Sequence, residues 1–343
     1  MNLERLTADI RNEALKIGFT KTGFAPAGET PYMSYFHDWL RNGFHGEMRF
    51  LARQAEKRGN PELVLPGVRS IVVAALNYYS KIDAPAPATP LVGRISRYAL
   101  GADYHSAVMD RLERLLRFIK SEVSGANGRC YVDTGPVMEK VWGAETSIGW
   151  IGKHSGLVSR KLGTRFFIGV ILLDIPLDYD AKSKDLCGSC RRCLDACPTG
   201  ALIAPYRLDA RTCLSYLTIE FREAIPCELR PLVGNRIFGC DECQNACPWN
   251  RFAEKTTAVE LTPRAENLAP DLLPLAVLSR DAFESRFSAS PIIRATRDGF
   301  VRNVMIALGN SHSAYAVPAL KAGLTDKSPL VRAHAEWGLR KYG

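Results

Sequence analysis

Eight of the chain's ten cysteines fall into two groups, and their spacing constrains the fold more than any other feature. The first group, Cys187, Cys190, Cys193 and Cys197, is followed by Pro198 and reads C-x2-C-x2-C-x3-C-P. The second, Cys240, Cys243 and Cys247, is followed by Pro248, with Cys213 upstream. In the bacterial two-cluster pattern the fourth cysteine of a run ligates the other cluster. The spacing therefore predicts Cys187, Cys190, Cys193 and Cys247 around one 4Fe–4S cluster. Cys213, Cys240, Cys243 and Cys197 surround the second. Zinc needs four ligands, often as two C-x2-C pairs, and has no use for a third cysteine or a repeated C-P. Disulfides require an oxidising compartment. Two clusters mean that the chain moves electrons. Cys130 and Cys227 lie outside both groups and read as ordinary thiols.

The 343 residues leave room for about two or three domains around a sizeable core. Residues Met1 to Ala25 carry Glu4, Asp9 and Glu13 between apolar positions, with no long apolar run and no small-residue cleavage site. That pattern is not a secretory signal, and no twin-arginine pair opens it. The longest apolar stretch, Phe166 to Leu173, is too short to span a membrane as a helix. A cytoplasmic protein without a membrane partner is expected. The net charge of +9 attracts polyanions, of which nucleic acid is the commonest, although a solvated basic surface would give the same value.

The first ~180 residues mix helix and strand signals. Leu3, Leu6, Ile10 and Ala14 follow helical spacing, and Thr20 to Pro26 suggests a short strand after Gly18. Ser70 to Tyr79 and Phe166 to Ile175 read as buried strands, and Arg129 to Val132 as a strand ending at Asp133. Asp83 to Pro90 reads as a Pro/Ala loop. Ala107 to Val123 is an amphipathic helix with Leu112, Leu115, Leu116 and Ile119 on one face. Lys182 to Asp185 is a polar linker into the cysteines, and Cys213 to Glu223 reads as helical.

Three helical patterns close the chain: Asp298 to Leu308, Ala314 to Gly323 and Ser328 to Tyr342. Val301, Val304 and Leu308 form one apolar face, and Leu330, Ala333, Ala335 and Leu339 another. The phrase DKSPLVRAHAEWGL has the form of a HEAT-type repeat. From Arg280 to Gly343 ten Arg/Lys face five Asp/Glu, a surplus suited to a phosphate backbone. Arg294, Arg297, Arg302 and Arg332 are the candidate phosphate contacts.

Outside the cysteines stand SRYALGADYH (96–105), VDTGPVMEK (132–140), GWIGKH (149–154), CLSYLTIE (213–220) and IFGCDECQNACPWN (237–250). In this order, and through essentially the whole chain, they closely resemble the epoxyqueuosine reductase family. The resemblance implies reduction of epoxyqueuosine, at the wobble position of tRNA anticodons, to queuosine. It implies cobalamin and two 4Fe–4S clusters, fed by an external low-potential electron donor. The expected fold is α+β and multidomain. Residues 1–180 would form a nitroreductase-like α/β cobalamin-binding domain, like the core of reductive dehalogenases. Residues 181–255 would form a bacterial two-cluster ferredoxin-like domain, and 256–343 an all-α HEAT-like tail that binds tRNA. A monomer is expected.

The resemblance also implies roles for single residues. Asp133 matches the family's general acid, and its carboxyl would project into the cleft at the end of its strand. An aspartate titrates near ~3.9 and must be shifted up to donate near neutrality. Without the resemblance, Asp133 reads as a cap for the following turn. Glu139, Lys140, Lys153 and His154 match positions around the cobalamin, with Gly152 allowing close backbone approach. Arg58, Tyr98, Leu157 and Ile168 line the same pocket, and Ser215 and Asp241 approach it from the cluster domain. Trp150 reads as core. The resemblance also implies base-off cobalamin without a protein histidine, and the sequence agrees: the D-x-H-x-x-G motif of base-off, histidine-on proteins is absent, since Asp103-Tyr104-His105 lacks the glycine. Relatives often carry glycine at Ser147 and asparagine at His154.

Three rival readings have weaker support. A respiratory dehalogenase would carry an export signal and needs no basic tail. A plain ferredoxin needs no domain before its clusters. A HEAT-type RNA adaptor would not keep all eight ligand positions.

Overall fold

The computed structural model describes residues 2–81 and 91–342. Its first layer is a four-stranded antiparallel sheet with strand order Lys21–Pro26, Ser70–Asn77, Phe166–Leu173, Gly128–Tyr131. All four were expected, with slightly different ends. The Pro/Ala loop at 83–90 lies outside the described residues. Ser70–Asn77 is buried along its whole length because both faces are covered. Val72, Ala74 and Leu76 join one core with Ile10, Ala14, Leu112 and Leu115. Ile71, Val73 and Ala75 join another with Val137, Trp142 and Leu157. Side chains of a strand alternate between faces, so a continuous apolar run serves two cores at once.

Helix Leu3–Ile17 starts at Asn2, whose Oδ1 accepts the Arg5 N–H at 3.0 Å, and ends at Gly18 with φ 108°. Helix Tyr104–Glu122 starts at Asp103, whose Oδ1 accepts the His105 N–H at 2.9 Å. It lies across Phe166–Leu173 at Gly169, where a Cβ would stand 2.6 Å from Leu112 Cδ1. Glycine at that position allows the helix its close approach. The cap and the crossing together fix Tyr104 and His105 at the sheet's edge.

In the cysteine region, Leu202–Ala204 pairs with Arg207–Leu208, and helices Arg192–Asp195 and Glu242–Asn245 pack together. The helix expected over 213–223 is shorter, Leu214–Ile219. Its continuation turns away because the carbonyls of Phe221 and Glu223 accept hydrogen bonds from Arg302.

The three tail helices are Thr296–Asn310, Val317–Gly323 and Pro329–Leu339. Thr296–Asn310 has no single apolar face: every residue from Gly299 to Gly309 is buried. It lies against Arg236–Phe238, Leu214–Ile219, Leu272–Ala276 and Pro329–Leu339. In Pro329–Leu339 the buried face is Val331, His334, Ala335 and Gly338, whereas Leu330 is half-buried and Ala333 exposed. The cause is the tight crossing at Gly309, where a Cβ would stand 2.7 Å from Gly338 Cα.

Arg94–Ile95 pairs in parallel with Arg236–Phe238. Ile95, Ala99 and Leu100 share a core with Ile237, Phe238, Phe300, Val304 and Val331. That core draws on all three stretches of chain expected as domains. No helix among the described residues is long and apolar enough to cross a membrane.

Candidate functional site

All ten cysteines are free of disulfides. Cys187, Cys190, Cys193 and Cys247 line one cavity of about 60 Å³, closed by Leu186, Pro248 and Trp249. Burial pushes the Cys247 thiol up to about 11, and the thiols of Cys187, Cys193 and Cys190 add to the rise. Burial also pushes Cys243 far up, helped by Cys213, Cys240 and Cys197. Cys247 thus lies with Cys187, Cys190 and Cys193, and Cys197 acts on Cys243 together with Cys213 and Cys240. Thiols crowded this way are poor thiolates until metal binds and displaces their protons. Among the described residues, no three His, Cys, Asp or Glu side chains converge tightly enough for a single ion. In the second set Lys140 acts on Cys213 and Asp241 on Cys243.

Asp133 follows the strand Gly128–Tyr131 with φ 57°, a left-handed conformation that aspartate tolerates better than most residues. Tyr104 Oη donates to its Oδ2 at 2.9 Å, and His105 Nε2 lies 3.7 Å from the same oxygen. His105 Nδ1 is 2.7 Å from Asp103 Oδ1. The Tyr104 ring stacks on Phe167 at 4.2 Å and on His105 at 4.1 Å. The Asp133 side chain is 68% exposed, yet it lies in a recess crowded by these groups.

His105, the strongest influence, holds the Asp133 carboxyl below its usual range; burial works the other way, and Tyr104 and Lys140 add to the lowering. This direction is opposite to the one that proton donation near neutrality demands. Burial disfavours the imidazolium of His105, but Asp103 and Asp133 outweigh it and raise the group to about 9. Burial raises Glu139 to about 7; Asp133 adds to the rise and Arg58 opposes it.

The structure thus gathers Arg58, Tyr98, Glu139 and Lys140 about Asp133. The other candidates sit apart from Asp133, although Lys140 also acts on His154. Lys153 Nζ donates to the carbonyls of Gly188 and Cys190, which ties it to the first cysteine loop. His154 lines the cavity of that loop, and burial lowers it to about 4, so it is neutral. Gly152 is tight against Val158, Leu157 is core, Ile168 is half-buried in its strand, and Ser215 is half-buried beside Cys213. Both carboxylate oxygens of Asp241 are taken, by the Ser96 hydroxyl and the Arg97 N–H. Arg58 Nε, Glu139 Oε1 and His154 Nε2 are buried without a partner. Trp150 is core, as read, and its Nε1 also donates to Cys187 Sγ at 3.4 Å.

The phosphate candidates divide. Arg302 is fully buried, donating to the carbonyls of Leu217, Phe221 and Glu223, and cannot meet RNA. Arg297 is paired with Asp326, and Arg332 donates to the carbonyls of Asp326 and Lys327. Arg294 pairs with Glu220 through two 2.8 Å hydrogen bonds, partly exposed and near enough to feel Asp133. In the sequence, Tyr104 and His105 stand out only within the incomplete cobalt-ligand motif. Their signal was Asp103, a helix cap that also grips the imidazole.

Two crossed sets of thiols beside an acid pocket suit electron and proton transfer together, and this class is the iron–sulfur oxidoreductases. Residues 186–250 match the family model of a 4Fe-4S double cluster binding domain. Residues 58–134 match the model described as epoxyqueuosine reductase QueG, DUF1730. Epoxyqueuosine reductase of Pseudomonas aeruginosa is 42% identical over 343 residues, covering 99% of this chain and 95% of its own. A crystal structure of epoxyqueuosine reductase with a tRNA-Tyr epoxyqueuosine-modified stem loop superimposes with a TM-score of 0.93 at 31% identity, covering 100% of this chain and 91% of that one. The Bacillus subtilis epoxyqueuosine reductase, solved with an aspartate-bearing catalytic loop swung out of its active site, gives 0.92 at 30% identity, with 100% and 91% coverage. The chain belongs to the epoxyqueuosine reductase family.

Proposed function

We propose that the chain reduces epoxyqueuosine, at the wobble position of tRNA, to queuosine, with Asp133 delivering protons. The observation that carries this reading is the contiguity of the acid pocket with the second cysteine set. The Tyr98 ring lies 6.0 Å from Tyr104, which donates to Asp133, and 6.0 Å from Phe238, two residues before Cys240, while Asp241 accepts from Ser96 and Arg97 beside it. Family membership supports the substrate, and the aspartate-bearing catalytic loop of the Bacillus subtilis relative supports Asp133.

Converting an epoxide to an alkene releases the oxygen as water and consumes two electrons and two protons. When bound, the two clusters and cobalamin supply the electrons, drawn from an external low-potential donor. Cys187, Cys190, Cys193 and Cys247 would hold one cluster, and Cys197, Cys213, Cys240 and Cys243 the other. The unpartnered Arg58 Nε, Glu139 Oε1 and His154 Nε2 fit the polar rim of cobalamin, since buried polar atoms of this kind call for partners. Both nitrogens of His105 already face carboxylates, so this histidine would not be a ligand of cobalt. Lys140 and Tyr104 orient Asp133 toward the reacting oxygen. In this reading residues 1–180 are a nitroreductase-like unit, 181–255 the cluster unit, and 256–343 HEAT-like helices that hold tRNA by charge and shape. The enzyme acts in the cytoplasm as a monomer.

The test is anaerobic reconstitution with iron, sulfide and cobalamin, then incubation with an epoxyqueuosine stem loop and a chemical reductant. Nucleoside analysis should show queuosine, and Asp133→Ala should abolish it. Unchanged epoxyqueuosine with fully loaded wild-type protein overturns the reading.

A further inference from the structure

We infer that His105 is the proton store of this reaction: its imidazolium reloads Asp133, and Asp103 holds it in place to do so. The inference rests on the epoxide-reduction reading and deepens it. Two C–O bonds break, a C=C bond forms, and both protons end on one oxygen. Asp133 can hold only one proton at a time, so it must itself be refilled between the two transfers. Its Oδ2 accepts from Tyr104 and faces Nε2 of His105.

The groups facing this point come from every element around it. Asp103 and Tyr104 belong to the helix of His105, and Tyr98 comes from the preceding turn. Glu139 and Lys140 act from the helix Glu139–Ala144, Arg58 from the helix Ala55–Gly59, and Arg294 from the tail. Tyr104 donates its hydroxyl to Asp133, and burial together with that carboxylate raises its phenol far above the neutral range. It orients Asp133 but does not supply protons. Lys140 and Arg294 are cations that favour the carboxylate. His105 has a carboxylate on each side: Asp103 2.7 Å from Nδ1 and Asp133 3.7 Å from Nε2. The longer gap is slightly beyond hydrogen-bond length, as is common for a catalytic pair before substrate closes the pocket. The same two carboxylates keep the imidazole charged at neutrality.

The steps balance. The Nε2–H bond of His105 breaks as an O–H bond forms on Asp133, and Asp133 passes that proton to the oxygen. The His105 side chain is 32% exposed, so its neutral ring takes a proton from water. The relay then repeats once, and the two electrons come from the external low-potential donor of the proposed reaction.

Two readouts test this. With reconstituted full-length enzyme, stem-loop substrate and excess reductant, kcat of the wild type should fall as pH rises through about 9. His105→Gln should lower kcat by about tenfold or more, leave KM for the stem loop within about twofold, and remove that alkaline limb. Separately, an NMR titration of the six histidines needs no turnover. One resonance should titrate near 9, vanish in His105→Gln, and move to lower pH in Asp103→Asn. Wild-type kcat with the same limb in His105→Gln overturns the inference, as does an ordinary histidine midpoint for His105. Loss of the limb in Glu139→Gln but not in His105→Gln gives the role to Glu139 and also overturns it. Wild type that makes no queuosine but shows the high midpoint indicts the proposed function instead.

Discussion

The indole Nε1 of Trp150 donates to Sγ of Cys187 across 3.4 Å, with Trp249 set edge-on against the same indole. An N–H aimed at a cluster sulfur stabilises the reduced, more negative state and raises the potential. Trp150→Phe keeps the packing and removes the donor. It should lower the potential of one cluster only, by on the order of tens of millivolts for a hydrogen bond of about 1 kcal/mol. A redox titration followed by EPR checks this, and two unchanged potentials would count against the contact.

Crossed ligation has its own signature. Cys247→Ser and Cys197→Ser should each cut bound iron to roughly half, but each removes a different cluster. The Trp150→Phe shift identifies which one remains. It should be absent in Cys247→Ser, which loses the Cys187 cluster, and present in Cys197→Ser. The reverse result would mean that each cysteine run holds its own cluster.

Arg302 and Arg294 should separate cleanly. Arg302→Leu leaves the carbonyls of Leu217, Phe221 and Glu223 without their donor inside a core. It should cost about 3 kcal/mol of stability or more, read as a lowered melting temperature. Its effect on the salt dependence of stem-loop binding should be negligible. Arg294→Ala should change stability by about 0.5 kcal/mol or less and flatten the salt slope by about 1. An Arg302 variant that is stable but loses salt dependence would restore Arg302 as a phosphate contact.

Arg302 also shows where sequence reasoning ran out. Spacing located the sheet strands, the helix Tyr104–Glu122 and both thiol sets, because apolar period and cysteine spacing are local quantities. Helix Thr296–Asn310 reads as amphipathic only if one side is assumed to meet water. Its neighbours come from residues 214–238, 272–276 and 329–339, so Arg302 and Asn303 are enclosed by chain distant in sequence. Asp133 was legible through its motif, but its protonation was not. That depends on Tyr104 and His105, almost thirty positions away, which the helix cap at Asp103 delivers to the same corner.

Glu139 gives a pH dependence whose sign is fixed. Burial raises its carboxyl from 4.5 to about 7, so between those values the folded chain holds a proton that the unfolded chain has released. Its contribution is therefore full below about 4.5 and is lost as pH rises through 7, by about 3 kcal/mol at most. Other groups slope over neighbouring ranges, with His105 falling toward 9 and His154 rising from 4, so the quantity to read is a difference. In cobalamin-free protein, the melting temperature of wild type relative to Glu139→Gln should decline from pH 5 to 7.5 and then level off. Adding cobalamin should shrink that decline if the corrin rim supplies the partner that Glu139 Oε1 lacks. A flat difference in the cobalamin-free protein would mean that Glu139 is charged and solvated, leaving His105 alone able to hold a proton beside Asp133.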